Sequence, residues 1–244
     1  MKTFGQDFMI FLNKVRFHQP FALSRWGDGE LALLENRAID LLSKGDGEFR
    51  NIPDDPSYDT ARKFLNDAFI FRDPSYFIGI ACRCCVGDDK HEYMKKLSGQ
   101  PDSTLTWANV FVNSNYKLFL EQFIPALSGR KTVLVSHEKS DISGLPFKPV
   151  KHFKVTPDAW NSTAVTEEIG EWILKDNIRD HVFLFASGPH ANIAVYQLFC
   201  VGLVAGNTSN TFIDAGSVFD RMLGLRVTRR YLQGGPTINK TCVW

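Results

Sequence analysis

No run of apolar residues in this chain approaches the roughly 18 to 20 that a membrane-crossing helix needs, so no transmembrane segment is expected. Net charge is nearly absent too: 28 Lys and Arg against 27 Asp and Glu leave +1 at pH 7. So balanced a surface exerts no general pull on nucleic acid or on anionic membrane. Neither is an expected partner, and any nucleotide must be held locally. Cysteine is scarce and odd in number, with five in 244 residues and three of them in Cys82-Arg83-Cys84-Cys85. An odd set argues against a secreted disulfide framework and for reduced thiols in a cytosol. The C-x-C-C spacing also lacks the C-x₂-C pairs of structural zinc sites, so zinc is not expected there. The opening Met1-Lys2-Thr3-Phe4-Gly5-Gln6-Asp7 has an early acid and a broken apolar run, unlike a signal peptide. The expected location is cytoplasmic, and without secretion the sequons at Asn161 and Asn207 mean little.

What is present is a full core. Hydrophobic residues make up 44% and aromatics 13% of the chain, which excludes disorder. A length of 244 residues suits one α/β domain over 1–244. Within it, 22–130 is expected to carry the principal motif, 131–220 to be a Rossmann-like half, and 221–244 to be a tail. Helical spacing predicts helices over Phe4–Val15, Leu31–Leu42, Asp59–Phe71, Tyr116–Leu127, Thr163–Leu174 and Ala191–Val201. Apolar and β-branched runs predict strands at Phe21–Ser24, Tyr76–Cys82, Lys131–Ser136, Val150–Val155, His181–Ala186 and Thr211–Ser217. The near-continuous apolar run at His181–Ala186 suits a parallel strand covered on both faces. The fold class expected is α/β, a Rossmann-like, mostly parallel sheet with flanking helices. The Gly- and Asp-rich stretch from Lys44 to Tyr58 reads as a loop able to close over a ligand.

The most informative stretch is Ser24-Arg25-Trp26-Gly27-Asp28-Gly29-Glu30, which follows an apolar run and precedes Leu31, Leu33 and Leu34. Gly27 and Gly29 are expected to allow positive φ and close approach of a ligand. Asp28 and Glu30, one residue apart, are expected to present oxygens to a hard divalent cation, Mg²⁺ or Mn²⁺. Arg25 beside them offers a bidentate donor to phosphate. The plain structural alternative is a turn dipeptide and a first-turn glutamate that suits a helix dipole.

These residues resemble the R-(F/W/Y)-G-D-G-E signature of GT-D-type glycosyltransferases, nucleotide-sugar-dependent enzymes with a Rossmann-like fold and an Asp-x-Glu motif. The resemblance implies that Asp28 and Glu30 bind the metal and the sugar nucleotide. The second half resembles the same family through a strand, the turn Ser187-Gly188-Pro189, a helix, and a strand ending in Asp214-Ala215-Gly216. A small-residue turn at a helix N-terminus offers backbone N–H groups to a phosphate, which makes Ser187, Gly188 and Pro189 donor-binding candidates. Asp214, with Gly216 beside it, is a candidate ribose or sugar partner.

Other candidates are looser. Arg83, Asp88, Asp89 and His91 follow a strand, where ligands collect in open α/β sheets, though charged loop residues are more often simply solvated. Trp107 and Tyr116, with Asn109, Asn113 and Asn115, read equally as a sugar-recognising stretch or as a strand end with Asn turns. Asp88, His137, Glu138, Asp158 and Asp214 are all open as a general base. Arg226, Arg229 and Arg230, ahead of Gly234-Gly235-Pro236, form a basic patch that is solvated or reaches a pyrophosphate. The expected activity is transfer of a sugar from a nucleoside diphosphate donor, a UDP-sugar foremost, to a hydroxyl of a glycan, glycolipid or glycoprotein. The alternative is a nucleotide- or sugar-binding module without chemistry. A methyltransferase is disfavoured, because it leaves the paired carboxylates without a metal to hold.

Overall fold

The computed structural model describes residues 1–43 and 49–233. Helix α1 (Phe4–Arg16) opens on a capping box between Thr3 and Gln6 and buries Phe4, Phe8, Phe11, Leu12 and Val15. Strand β1 (Ala22–Trp26) runs into α2 (Asp28–Leu34), and β2 (Ile39–Asp40) pairs antiparallel with β3 (Arg50–Asn51). Next come α3 (Asp59–Ile70), β4 (Tyr76–Ile80), the short α4 (Arg83–Val86), α5 (Asp88–Ser98) and β5 (Leu105–Trp107). A helical stretch follows, in which α6 (Tyr116–Leu118) passes through a π turn at Phe119–Phe123 into α7 (Ile124–Ser128). The second half supplies β6 (Lys131–His137), β7 (Lys151–Val155), α8 (Ala164–Lys175), β8 (His181–Ala186), α9 (Pro189–Val204) and β9 (Thr211–Asp214).

Among the described residues, seven strands form one sheet in the order β5-β4-β1-β9-β8-β6-β7, every neighbouring pair parallel. The strand period of two divides the core. Ala22, Trp26, Phe183 and Phe212 face one cluster with Leu31, Leu65, Ile169 and Ala194 from α2, α3, α8 and α9. Leu23, Leu184 and Ile213 face the other, with Phe8 and Phe11 of α1, Phe119 and Phe123. Both faces are covered, so the strands carry few polar residues. This is the Rossmann-like α/β architecture the sequence led us to expect. Among the described residues no helix is long and apolar enough to cross a membrane.

Three expectations need correction. The helix at Leu31–Leu42 begins earlier, at Asp28, and stops at Leu34; Asn36 then takes φ 49°, and Ile39–Asp40 becomes a strand. Arg83–Asp89 is not an open loop but the helical turn of α4 and the start of α5. Of the loop expected from Lys44 to Tyr58, residues 44–48 lie outside the described residues, and the remainder is partly ordered, with β3 at Arg50–Asn51 and a 3₁₀ turn at Pro56–Tyr58.

A fully parallel sheet brings all its strand C-termini to one edge. There β1 and β9 are neighbours, yet the segments leaving them go to opposite faces. Leu31 and Leu33 of α2 join the first cluster, and Val218 and Phe219 beyond β9 join the second. By the switch-point rule of open α/β sheets, such a divergence marks the place where a ligand crevice is expected outside the strand C-termini.

Candidate functional site at the β1–β9 crevice

Arg25 and Asp214 form the floor of this crevice. The Arg25 N–H donates to Asp214 Oδ2 at 3.0 Å, its Nη2 lies 3.6 Å from Asp214 Oδ1, and its Nη1 donates to the Ala108 carbonyl at 3.0 Å. The guanidinium also lies over the Phe111 ring, 5.9 Å from its centroid. Asp214 Oδ1 accepts in addition from the Gly216 N–H at 2.9 Å. Burial raises the Asp214 pKa, and Arg25 opposes that rise. Gly216 takes φ +53°, and a Cβ there would run into the Arg25 guanidinium. Arg25 is thus an internal strut between β1, β9 and the end of β5, rather than a donor extended toward a phosphate.

Above this floor stands the Gly27–Glu30 turn. Asp28 is exposed at the first position of α2, and Glu30, two residues on, turns back so that its Oε2 accepts from the Gly27 N–H at 2.8 Å. The dipole-suited helix start weighed as the plain alternative is therefore realised, and it coexists with the acidic pair. Neither Gly27 nor Gly29 has positive φ. Space at both is tight: a Cβ at Gly27 would lie 3.0 Å from Glu30 Oε2, and one at Gly29 3.1 Å from Phe49 Cζ, so those side-chain ends would have to give by a few tenths of an ångström. Burial of its carboxyl raises the Glu30 pKa, and the charges of Asp214 and Asp28 push it further the same way.

Those three carboxylates share a field that a cation relieves, and oxygen donors suit a hard divalent ion. Asp28 and Glu30 fit Mn²⁺ or Mg²⁺ in that sense. They form no closed cage, because among the described residues only Cys82, Cys84 and Cys85 bring three potential ligand atoms within 4.8 Å of one another. Two carboxylates suffice where substrate phosphates complete the shell.

The N-terminus of α9 makes the third wall. Gly188, with φ +57°, is its N-cap and Pro189 its first residue. Ser187 is buried, and its Oγ pairs with His190 Nδ1 at 3.1 Å, while His190 Nε2 pairs with Thr166 Oγ1 at 3.1 Å. Its hydroxyl is directed into the protein, so the turn's remaining offer to an anion is backbone. Burial lowers the His190 pKa to about 4, keeping the ring neutral. Asn192 ties this helix to β1: its Nδ2 donates to Ser24 Oγ at 3.1 Å and to the Arg25 carbonyl at 2.9 Å. Sequence reasoning missed His190 and Asn192. The available signal was two polar residues within an apolar helix.

The other candidates are engaged in contacts of their own or exposed. Trp107 is stacked on Phe4 and on His91 at 5.0 and 5.5 Å, its Nε1–H donating to the Lys2 carbonyl at 2.8 Å, so it is core rather than a platform for a sugar. Asn115 is buried and donates to the Phe4 and Val110 carbonyls, the structural alternative. His91 is buried, its Nδ1 paired with the Ala81 carbonyl. Asp88 and Asp89 are exposed in the first turn of α5, Asp88 3.5 Å from Arg83. Asp158 accepts from the Arg50 N–H, from Trp160 Nε1–H and from the Tyr58 hydroxyl, which fastens β3 to the loop before α8. His137 ends β6; burial lowers its pKa, and its Nδ1 accepts from the Lys139 N–H at 3.1 Å. The neutral ring therefore carries its proton on Nε2, which suits a donor better than a base. Glu138 beside it is exposed. Arg226 and Arg229 are exposed; the Arg230 side chain and Gly234-Gly235-Pro236 lie outside the described residues.

No family model matches the chain, and no curated protein matches it. One solved structure is similar in fold, with a TM-score of 0.52 over 93% of this chain and 92% of the other at 14% identity. It is the highly conserved domain of unknown function 1792, described as having a distinct glycosyltransferase fold. At that identity the likeness is one of fold, and the fold is glycosyltransferase-like.

Proposed function

We propose that this chain is a nucleotide-sugar-dependent glycosyltransferase of the GT-D type, acting on a UDP-sugar and on a hydroxyl of a glycan, glycolipid or glycoprotein in the cytoplasm. The observation that carries the reading is the meeting of Asp28 and Glu30, the Arg25–Asp214 floor and the α9 N-terminus at one crevice of a glycosyltransferase-like fold. Asp28 and Glu30 would hold a Mn²⁺ or Mg²⁺, which when bound would supply positive charge against the donor diphosphate.

The residues then have separate tasks. Gly188 and the backbone opening α9 receive a phosphate oxygen at the positive end of the helix dipole. Arg25 positions Asp214, and Gly216 leaves room for that contact. Asp214 sets the floor on which the ribose or sugar lies. In the transfer, the acceptor hydroxyl attacks the anomeric carbon, the carbon–oxygen bond to the diphosphate breaks, and the hydroxyl proton passes to a carboxylate at the strand ends, where Glu138 is exposed. Stabilising the departing diphosphate is the main electrostatic contribution.

Release of sugar from UDP-, GDP- and CDP-sugars in the presence of Mn²⁺ tests this reading. Asp28→Ala is expected to lower turnover by about a hundredfold or more, the scale of removing one preorganised electrostatic contact. Loss of an acidic residue at the first position of α2 costs folding only about 0.3–1 kcal/mol, so the variant stays folded. Full turnover without Asp28 overturns the reading. A folded protein that binds nucleotide and releases no sugar from any donor is the non-catalytic binding module.

A further inference from the structure

At the C-terminal end of β4, one strand from the crevice, the three cysteines judged unsuited to zinc by their spacing converge. Cys82 Sγ lies 2.9 Å from Cys84 Sγ and 3.3 Å from Cys85 Sγ, and Cys84 lies 4.0 Å from Cys85. Local backbone geometry produces this. Cys82 is the N-cap of α4, the Cys85 N–H donates to the Cys82 carbonyl at 2.9 Å, and the helical turn wraps Cys84 and Cys85 back over it. From the next strand end, Asn109 Nδ2 donates to Cys82 Sγ at 3.1 Å and to Cys85 Sγ at 3.4 Å. Cys82 is buried, clustered with Phe4 and Trp107, whereas Cys84 and Cys85 are exposed. The site has a fixed apolar floor and a mouth open to solvent.

We propose that Cys82, Cys84 and Cys85 bind a thiophilic metal ion, Zn²⁺ in the first instance, as a three-thiolate site whose fourth position faces solvent. The inference is independent of the glycosyltransferase reading. Three sulfurs aimed at one point are more than a disulfide uses, and a cross-link over so short a segment is strained. Tetrahedral zinc thiolates, with Zn–S near 2.3 Å, require sulfur separations of about 3.8 Å. Cys84 and Cys85 must therefore swing outward by about 0.5–0.9 Å, which exposed side chains do by small torsional changes. Amide donation to sulfur is the hydrogen bonding that outer-shell residues give metal thiolates. Soft sulfur also separates this site from the acidic one, because Mn²⁺ and Mg²⁺ prefer the oxygens of Asp28 and Glu30.

Asn109 follows Ala108, whose carbonyl holds the Arg25 guanidinium. The sulfur site and the crevice floor are thus joined through two adjacent residues.

The test uses reduced full-length protein freed of metal, titrated with Zn²⁺ against a chromophoric chelator and with Co²⁺ followed by absorption. Wild type is expected to bind one equivalent with an intense sulfur-to-cobalt charge-transfer band, and Asp28→Ala to bind identically. Cys84→Ser and Cys85→Ser, which lie on the surface and should fold normally, should each lose more than about a hundredfold in affinity. Asn109→Ala should lose about ten- to a hundredfold, the usual range for an outer-shell hydrogen bond. No charge-transfer band in wild type, or unchanged Zn²⁺ affinity in both serine variants, overturns the proposal. So does quantitative Cys82–Cys84 or Cys82–Cys85 disulfide in protein isolated under non-oxidising conditions and mapped by mass spectrometry.

Discussion

Gly216→Ala probes the crevice floor most sharply. Gly216 has φ +53°, and a Cβ there collides with Arg25 Nη2; Gly206 has φ +64° and faces nothing within 4 Å. The two alanine variants share a left-handed backbone cost of about 1–2 kcal/mol and differ in what the new methyl meets. At position 216 the guanidinium must move, which breaks its 3.0 Å hydrogen bond to the Ala108 carbonyl and its 3.6 Å pairing with Asp214. Hydrogen bonds to charged groups contribute about 1.5–3 kcal/mol. We therefore expect Gly216→Ala to lose about 2–4 kcal/mol more than Gly206→Ala, given the buried carboxylate left behind. Urea unfolding of both variants reads this as a shift in midpoint at constant slope. In an Arg25→Ala background Gly216→Ala should cost only the backbone term, the non-additivity expected of residues in contact. Equal losses for the two glycines in the wild-type background would refute the packing of Arg25 against Gly216.

Three further outcomes follow from the buried groups. The His190 pKa, lowered by burial from 6.5 to about 4, makes the unfolded chain bind more protons between those values, so stability falls as pH drops across that window. The loss reaches about 3 kcal/mol near its lower end, and His190→Gln should flatten that limb in denaturant midpoints taken from pH 7.5 to 4.5; an equally steep limb in the variant contradicts it. Glu30 has the opposite sign. Its pKa is raised from 4.5, the native state binds more protons above that pH, and stability declines as pH rises through the window. Glu30→Gln, still able to accept the Gly27 N–H, should gain on wild type over the same rise, and a constant difference across pH would disprove it. Asn192→Leu leaves the Arg25 carbonyl and Ser24 hydroxyl without that donor and should cost about 1–3 kcal/mol; a neutral result in denaturation would contradict the link between α9 and β1.

Much of the fold was legible because its strands are buried on both faces. Tyr76–Ile80, Lys131–His137 and His181–Ala186 carry apolar runs that admit little else. The sheet order was not legible, because pairing β1 with β9 joins residues nearly two hundred positions apart. Helix α5 escaped notice because its inner face is only His91, Met94 and Ser98 within a charged segment. Leucine spacing continued past Leu34, but Asn36 in the left-handed region ended the helix. At the site, residue types pointed to Asp28, Glu30 and the Ser187-Gly188-Pro189 turn. Composition could not say that Glu30 caps Gly27, that Arg25 turns toward Asp214, or that Ser187 Oγ turns to His190. Spacing alone did not show that α4 begins within the cysteines and folds their three sulfurs together.

Calorimetric titration with UDP, in Mn²⁺ and in EDTA, on wild type and on Asp28→Ala, tests the central claim most directly. The account predicts binding in Mn²⁺ that weakens in EDTA and in the variant alike, because on the proposed function Asp28, exposed, and Glu30, half-buried, would hold the ion that meets the diphosphate. Equal UDP affinity in all four titrations would contradict it, by showing that the acidic turn at the head of α2 takes no part in nucleotide binding.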